Sequence, residues 1–235
     1  MTAQLKPFHL SSGACEELKW IALACMIVDH INNAFFDREM AWMGPVGRIA
    51  MPLFTLVLGY NLARPGSDSL RLLKRLLLFG LIAQPVHAIL VMKGSWIPLN
   101  VLFTFAAGVG YMLLVRRKQW WAAIALVLAS TLLVDYSFVG VLLLAASWAY
   151  FDRPTQKSIT WLALALGGLC LFNNNLYALI GVALFYSASW WTVKIPRNKW
   201  LFWVVYPAHF ALLILIKLWW MPDWSIPAPY LNPPW

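Results

Sequence analysis

Apolar residues in this chain run in blocks and do not recur on a single face. Nine blocks, at about 18–36, 46–63, 70–92, 97–115, 119–134, 136–151, 158–172, 176–191 and 200–220, are separated by short polar or Pro/Gly-containing joins. A membrane-crossing helix needs roughly 17–25 mostly apolar residues. The fifth to eighth blocks are short for this, as tilted helices or tight hairpins would be. The pattern predicts an all-α fold, a polytopic transmembrane bundle of about nine helices (8–10) forming one integral membrane domain over 1–235. Breakers mark the joins: Met43-Gly44-Pro45 between the first two helices, and Arg64-Pro65-Gly66-Ser67-Asp68 before the third, with Asp68 as its candidate cap. Asp152-Arg153-Pro154 and Ile195-Pro196-Arg197 do the same later. Residues 1–17 precede the first block, and 221–235, with five prolines, cannot continue as a helix and are expected at the membrane interface. No internal repeat is visible, so the inverted-repeat signature of many transporters is missing.

Composition strengthens this picture. Hydrophobic residues make up 62% and charged residues 11% of the chain, against about 25% charged in a soluble chain. Many of the 15 tryptophans end apolar runs, where an interfacial ring meets water. The net charge of +9 comes from short clusters between blocks and not from a long basic stripe, which argues for membrane orientation and against nucleic-acid binding. Of the 18 basic residues, 14 fall on one side: Lys6, Lys19, Arg64, Arg71, Lys74, Arg75, Arg116, Arg117, Lys118, Arg153, Lys157, Lys194, Arg197 and Lys199. The positive-inside rule makes that side, and the N-terminus, cytoplasmic. Cys15, Cys25 and Cys170 form no CxxC and no even framework, so neither a disulfide nor a zinc site is implied. No cleavable signal peptide is evident.

Charge at membrane depth costs at least ~2.5–3.5 kcal/mol per group, so each such residue asks for a partner or a function. The candidates are Asp29, His30, Arg48, His87, Asp135 and His209, with Asn33, Gln84 and Asn100. Helix one places His30 roughly 18 Å from Leu18, past its midpoint. Arg48, His87, Asn100 and Asp135 fall at helix ends on the same, outer side, whereas His209 lies nearer the middle. His30, Asn33 and Asp37 share a face. Asp29 is turned about 100° from His30 and is therefore unsuited to orient it. An orienting carboxylate from another helix is expected, with Asp135 a candidate. Asp29 is expected to pair with Arg48, His87 after Pro85 reads as interfacial, and His209 follows the Tyr206-Pro207 kink. His30, His87 and His209 lack metal-motif spacing, so no metal is assigned.

Leu18-Lys19-Trp20 through Val28-Asp29-His30-Ile31, and Gly47-Arg48-Ile49-Ala50-Met51-Pro52-Leu53-Phe54 with Gly59, resemble the TraX family. Asn100-Val101-Leu102-Phe103-Thr104-Phe105-Ala106 and Tyr206-Pro207-Ala208-His209 resemble its later motifs, so the likeness spans nearly the whole chain. The resemblance implies a bacterial inner-membrane protein connected with N-acetylation of a pilin N-terminus. Its logic is that of membrane acyltransferases with an embedded His and cytosolic acetyl-CoA.

On that footing the expected activity is transfer of an acetyl group from cytosolic acetyl-CoA to an extracytoplasmic acceptor, a protein N-terminal amine or a glycan hydroxyl. His30 is the expected general base or nucleophile. Arg48 or Asn33 is the expected oxyanion donor, and His209 a second acid/base or acceptor-positioning group. Asp29 is expected to anchor Arg48. Arg71, Lys74, Arg75, Arg116, Arg117 and Lys118 are expected to hold the donor's phosphates. Asn100, Asp135 and Tyr206 are candidate acceptor contacts. A small-molecule transporter and a non-catalytic pilus or fimbrial assembly factor are the competing readings. For orientation, Lys118→Cys is expected to resist a membrane-impermeant thiol reagent applied to intact cells; ready labelling would invert the assignment.

Overall fold

The computed structural model describes residues 8–191 and 200–229. The basic residues Lys6, Lys194, Arg197 and Lys199, the join at 195–197 and the end of the tail lie outside the described residues. The helices are α1 (Ser12–Phe36), α2 (Met43–Gly47), α3 (Ala50–Ala63), α4 (Ser69–Leu90), α5 (Val101–Arg116), α6 (Trp120–Leu133), α7 (Ser137–Asp152), α8 (Gln156–Asn173), α9 (Ala178–Ser187) and α10 (Leu201–Trp220). α2 runs into α3 as one stretch, so nine helical segments answer to the nine apolar blocks among the described residues. Three stretches, Met43–Ala63, Ser69–Leu90 and Phe202–Trp220, are long and apolar enough to cross a membrane, and four further apolar helices are shorter.

Two boundaries differ from the sequence expectation. α1 begins at Ser12, where the Ser11 side chain accepts from Ala14 N, so the helix takes in residues expected to precede it. Met43-Gly44-Pro45 is not the first join but the opening turn of α2. Proline is tolerated in a first helical turn, because the N–H it lacks has no intrahelical partner there. The true join is residues 37–42, set by two successive left-handed residues, Asp37 (φ 46°) and Arg38 (φ 69°). The loop folds back on Asn32, whose side-chain oxygen accepts from Met40 N at 3.1 Å and whose carbonyl accepts from Arg38 N at 3.0 Å. Asp68 caps α4 as expected, accepting from Arg71 N at 2.8 Å. The described part of the tail, 221–229, is non-helical, and Lys217 reaches back from α10 to the Ala34 carbonyl.

Six helices close into a ring: α1 packs on α3, α3 on α7, α7 on α5, α5 on α4, α4 on α10, and α10 on α1. α6, α8 and α9 pack outside it. The pattern of exposure is inverted relative to a soluble protein. α6 buries only Ala123 and Ser130, while Trp121 is 85% and Leu128 66% exposed. Inside lie Thr55, Gln84, His87, Asn100, Thr104 and Ser147. This is the arrangement that lipid demands, with apolar surface outward and polar groups within. The hub is α3, buried at eleven positions including Gly59.

Without a hydrophobic drive between helices in lipid, close approach depends on small residues. A Cβ on Gly59 would stand 2.8 Å from Ser147 Cβ and 2.9 Å from the Trp148 backbone nitrogen. Nothing lies within 4 Å of the corresponding position at Gly44. Gly59→Ala is therefore expected to destabilise by about 1–3 kcal/mol and Gly44→Ala to leave the melting temperature in detergent nearly unchanged. Equal melting temperatures for the two variants would contradict the close α3–α7 crossing.

Candidate functional site

The site is built where α1, α4 and α10 face one another inside the ring. His30 Nδ1 and His209 Nε2 are 2.9 Å apart, with the rings nearly parallel at 9°. His209 Nδ1 lies 3.1 Å from the Val205 carbonyl, one turn back on its own helix. A carbonyl only accepts, so His209 carries its proton on Nδ1. Its Nε2 is then an acceptor, and His30 donates from Nδ1. With both rings neutral, the hydrogen-bond pattern leaves His30 Nε2 with a bare lone pair. The expectation that a carboxylate, Asp135, orients His30 is corrected: the orienting group is His209, held by a backbone carbonyl. The residue expected nearer mid-membrane and apart from the cluster is thus the one that touches it.

Phe210 is the common floor. Its ring centroid is 4.6 Å from that of His30, 4.0 Å from that of His209 and 5.6 Å from that of His87. His87 is 1% exposed and therefore internal, not interfacial as its place after Pro85 suggested. Beside these rings is a cavity of about 40 Å³, lined among others by Asp29, His30, His87, Asp135, Tyr136 and Tyr206. Asp135 and Tyr136 reach it because the α6–α7 turn pairs with the segment before α5. Leu99 N donates to Leu133 O at 2.7 Å and Asp135 N to Leu99 O at 2.9 Å. Gly47 lets α2 pack on α1; a Cβ there would fall 2.5 Å from the Asp29 side chain.

The expected Asp29–Arg48 pair does not form. Arg38 Nη1 stands 3.8 Å from Asp29 Oδ1. With its amide turned to face the donor, Asn33 accepts from the same guanidinium at 2.9 and 3.0 Å. Arg48 instead meets the Tyr136 side chain. Arg38 went unrecognised because a loop arginine reads as an orientation signal; what could have found it is its place right after the helix that carries Asp29 and Asn33. Asn100 is held in the frame and is absent from the cavity wall. It caps α5 and donates to Gly80 O at 2.9 Å and Gln84 Oε1 at 2.8 Å. At the rim outside the helices, Lys93 donates to Asp37 at 2.9 Å, and that ammonium holds the Asp37 carboxyl below its ordinary range.

A second cavity, of about 720 Å³, opens at the end of the bundle that carries the basic loops. Lys19, Arg64, Arg71 and Arg75 line it, together with Phe54, Phe105, Phe202 and Trp203. Lys74, Arg116, Arg117 and Lys118 do not. Arg116 stacks over Trp148 at 4.7 Å and faces Asp152 at 3.9 Å. The two basic clusters expected to act together are thus separated, and Lys19 and Arg64 join the first. Phe54 lines both the large cavity and the small one. Among the described residues no group of three His, Cys, Asp or Glu could hold a metal ion.

The chain matches the family described as TraX protein over residues 14–217. It is 29% identical to a Protein TraX of Escherichia coli over 88% of this chain and 89% of that one. It is 30% identical to the Protein TraX of Escherichia coli strain K12 over 74% and 73%. It is 28% identical to a probable fimbrial assembly protein FimC, serogroup H1, of Dichelobacter nodosus over 86% and 95%. No solved structure gives a significant match. With the motifs at 18–31, 47–59 and 206–209 all inside the matched span, the chain belongs to the TraX family.

Proposed function

We propose that this protein is an acyltransferase of the bacterial inner membrane that moves an acetyl group from cytosolic acetyl-CoA to an extracytoplasmic acceptor. The acceptor is an amine such as a protein N-terminus, or a glycan hydroxyl. The observation that carries the reading is Phe54. A large cavity edged with cations and a small one holding an uncommitted imidazole nitrogen meet at this one side chain.

The residues suit the donor. A volume of about 720 Å³ lies within the roughly 300–1,000 Å³ of ligand clefts, and Lys19, Arg64, Arg71 and Arg75 match a polyphosphate. Arg71 faces Asp68 at 3.2 Å but is largely exposed, so its guanidinium is free to turn to a stronger anion. The apolar walls at Phe105, Phe202 and Trp203 suit an uncharged arm leading inward. Acetyl-CoA would supply a thioester-activated acetyl group. His30 Nε2 would take the acceptor's proton, and His209 would hold His30 in the tautomer that makes this possible. Asp29 and Asp135 on the cavity wall accept hydrogen bonds and suit a neutral amine, with its several N–H donors, better than a hydroxyl as the group that docks. The fimbrial assembly name borne by one relative points to a pilus or fimbrial subunit as the acceptor.

That name also favours a second reading, a non-catalytic assembly factor. It requires that replacing Asp29, His30 or Arg48 harms stability alone.

Two measurements test the proposal. His30→Ala is expected to lose acetyl transfer from acetyl-CoA by about 10²–10⁴-fold with its fold retained; full activity in that variant refutes the role of His30. Acetyl-CoA is expected to raise the melting temperature of the purified protein, by the equivalent of about 2.7 kcal/mol at a hundredfold excess over its dissociation constant. Arg71→Ala and Arg75→Ala should weaken this shift and Arg117→Ala should not. An absent shift, or one lost equally at Arg117, rejects the cavity assignment.

A further inference from the structure

We propose that His87 is a catalytic residue, donating its ring N–H to the acyl oxygen as that oxygen becomes an oxyanion; the inference rests on the acyl-transfer reading above. Buried polar side chains are almost always hydrogen-bonded, because one left bare is destabilising. His87 is 1% exposed, and its Nδ1 is sealed from water without a partner. No hydrogen bond is made by either ring nitrogen among the described residues. Its neighbour on the same helix is fully engaged. Gln84, one turn earlier on α4, donates to Trp96 O at 2.9 Å and accepts twice from Asn100. The bare His87 imidazole lines the cavity that also contains His30.

The other polar groups on that wall do not fit the task. Asp29 and Asp135 as carboxylates are acceptors. His30 Nδ1 is engaged by His209. The Tyr136 and Tyr206 oxygens already accept from Arg48 and from the Val101 backbone. His87 is the imidazole on that wall with no hydrogen bond at either nitrogen among the described residues. The cavity, about 40 Å³, exceeds the ~10–15 Å³ that one water needs, which leaves room for a small group such as a carbonyl. His30 and His87 both flank Phe210, so a carbonyl between them presents carbon to one and oxygen to the other.

The step balances. The acceptor's nitrogen lone pair forms the N–C bond while its proton passes to His30 Nε2. The C=O π pair moves onto oxygen, where it takes the His87 N–H. As that pair returns, the C–S bond breaks, and the thiolate leaves with the proton from His30. The amide and the free thiol are the products.

The test compares wild type, His87→Leu and His87→Gln, using acetyl-CoA and a short peptide with a free N-terminal amine, alongside the melting temperature of each ligand-free protein. His87→Leu is expected to keep or raise the melting temperature, since it removes an unpartnered polar group. Its kcat should fall about 10²–10³-fold with KM for acetyl-CoA little changed. His87→Gln, which keeps an N–H donor, should recover part of the loss. Wild-type kcat in His87→Leu overturns the proposal while leaving the acyltransferase reading intact. So does a His87→Leu protein that unfolds, or a His87→Gln protein no better than it. Absence of turnover by wild type overturns both.

Discussion

The 2.9 Å contact between His30 Nδ1 and His209 Nε2 joins the first helix of the chain to the last. Other helix pairs in the ring are held along their length by small-residue crossings and apolar packing. The α1–α10 closure is slighter, and it is reinforced at its end by Lys217 reaching the Ala34 carbonyl. That seam completes the ring of six helices around the cavity at His30. A polar bond in an apolar solvent thereby does two things at once. It fixes which helices are neighbours, and it decides which imidazole nitrogen is free.

The two cavities have opposite characters because they lie in different parts of the bundle. The larger one opens where basic loops meet water, and its cations are exposed and adaptable. The smaller one is walled by groups with fixed partners: the turn at Asp135 held by Leu99, and Asp29 and Asn33 gathered by Arg38. Arg38 does this from a left-handed backbone, φ 69°, a conformation costing roughly 1–2 kcal/mol for a residue with a Cβ. Its hydrogen bonds to Asn32 and Asn33 offset that strain.

Hydropathy made the nine helical segments legible, and most helix ends fall within a few residues of the apolar blocks, because lipid imposes one simple rule on every crossing. Membership of the polar cluster was legible for His30, Asp29, Asp135 and Tyr206, whose place along their helices follows from residue counting. What counting cannot supply is which helix faces which, since that depends on packing between surfaces of similar hydropathy. Hence Asp29 was matched to Arg48 on the next helix, when a closer guanidinium lay in the intervening loop. His209 was set at a separate depth, although it touches His30. Pro45 was read as part of a break, yet it sits within a helix.

Orienting His209 through the Val205 carbonyl also bears on how the protein enters the bilayer. A carboxylate in that role would add about 2.5–3.5 kcal/mol to the insertion of its helix, to be recovered only after the partner helix arrived. A main-chain oxygen is present in any helix and carries no formal charge. α10 can therefore enter with its histidine uncharged and already in the right tautomer, and close on α1, which precedes it in the chain.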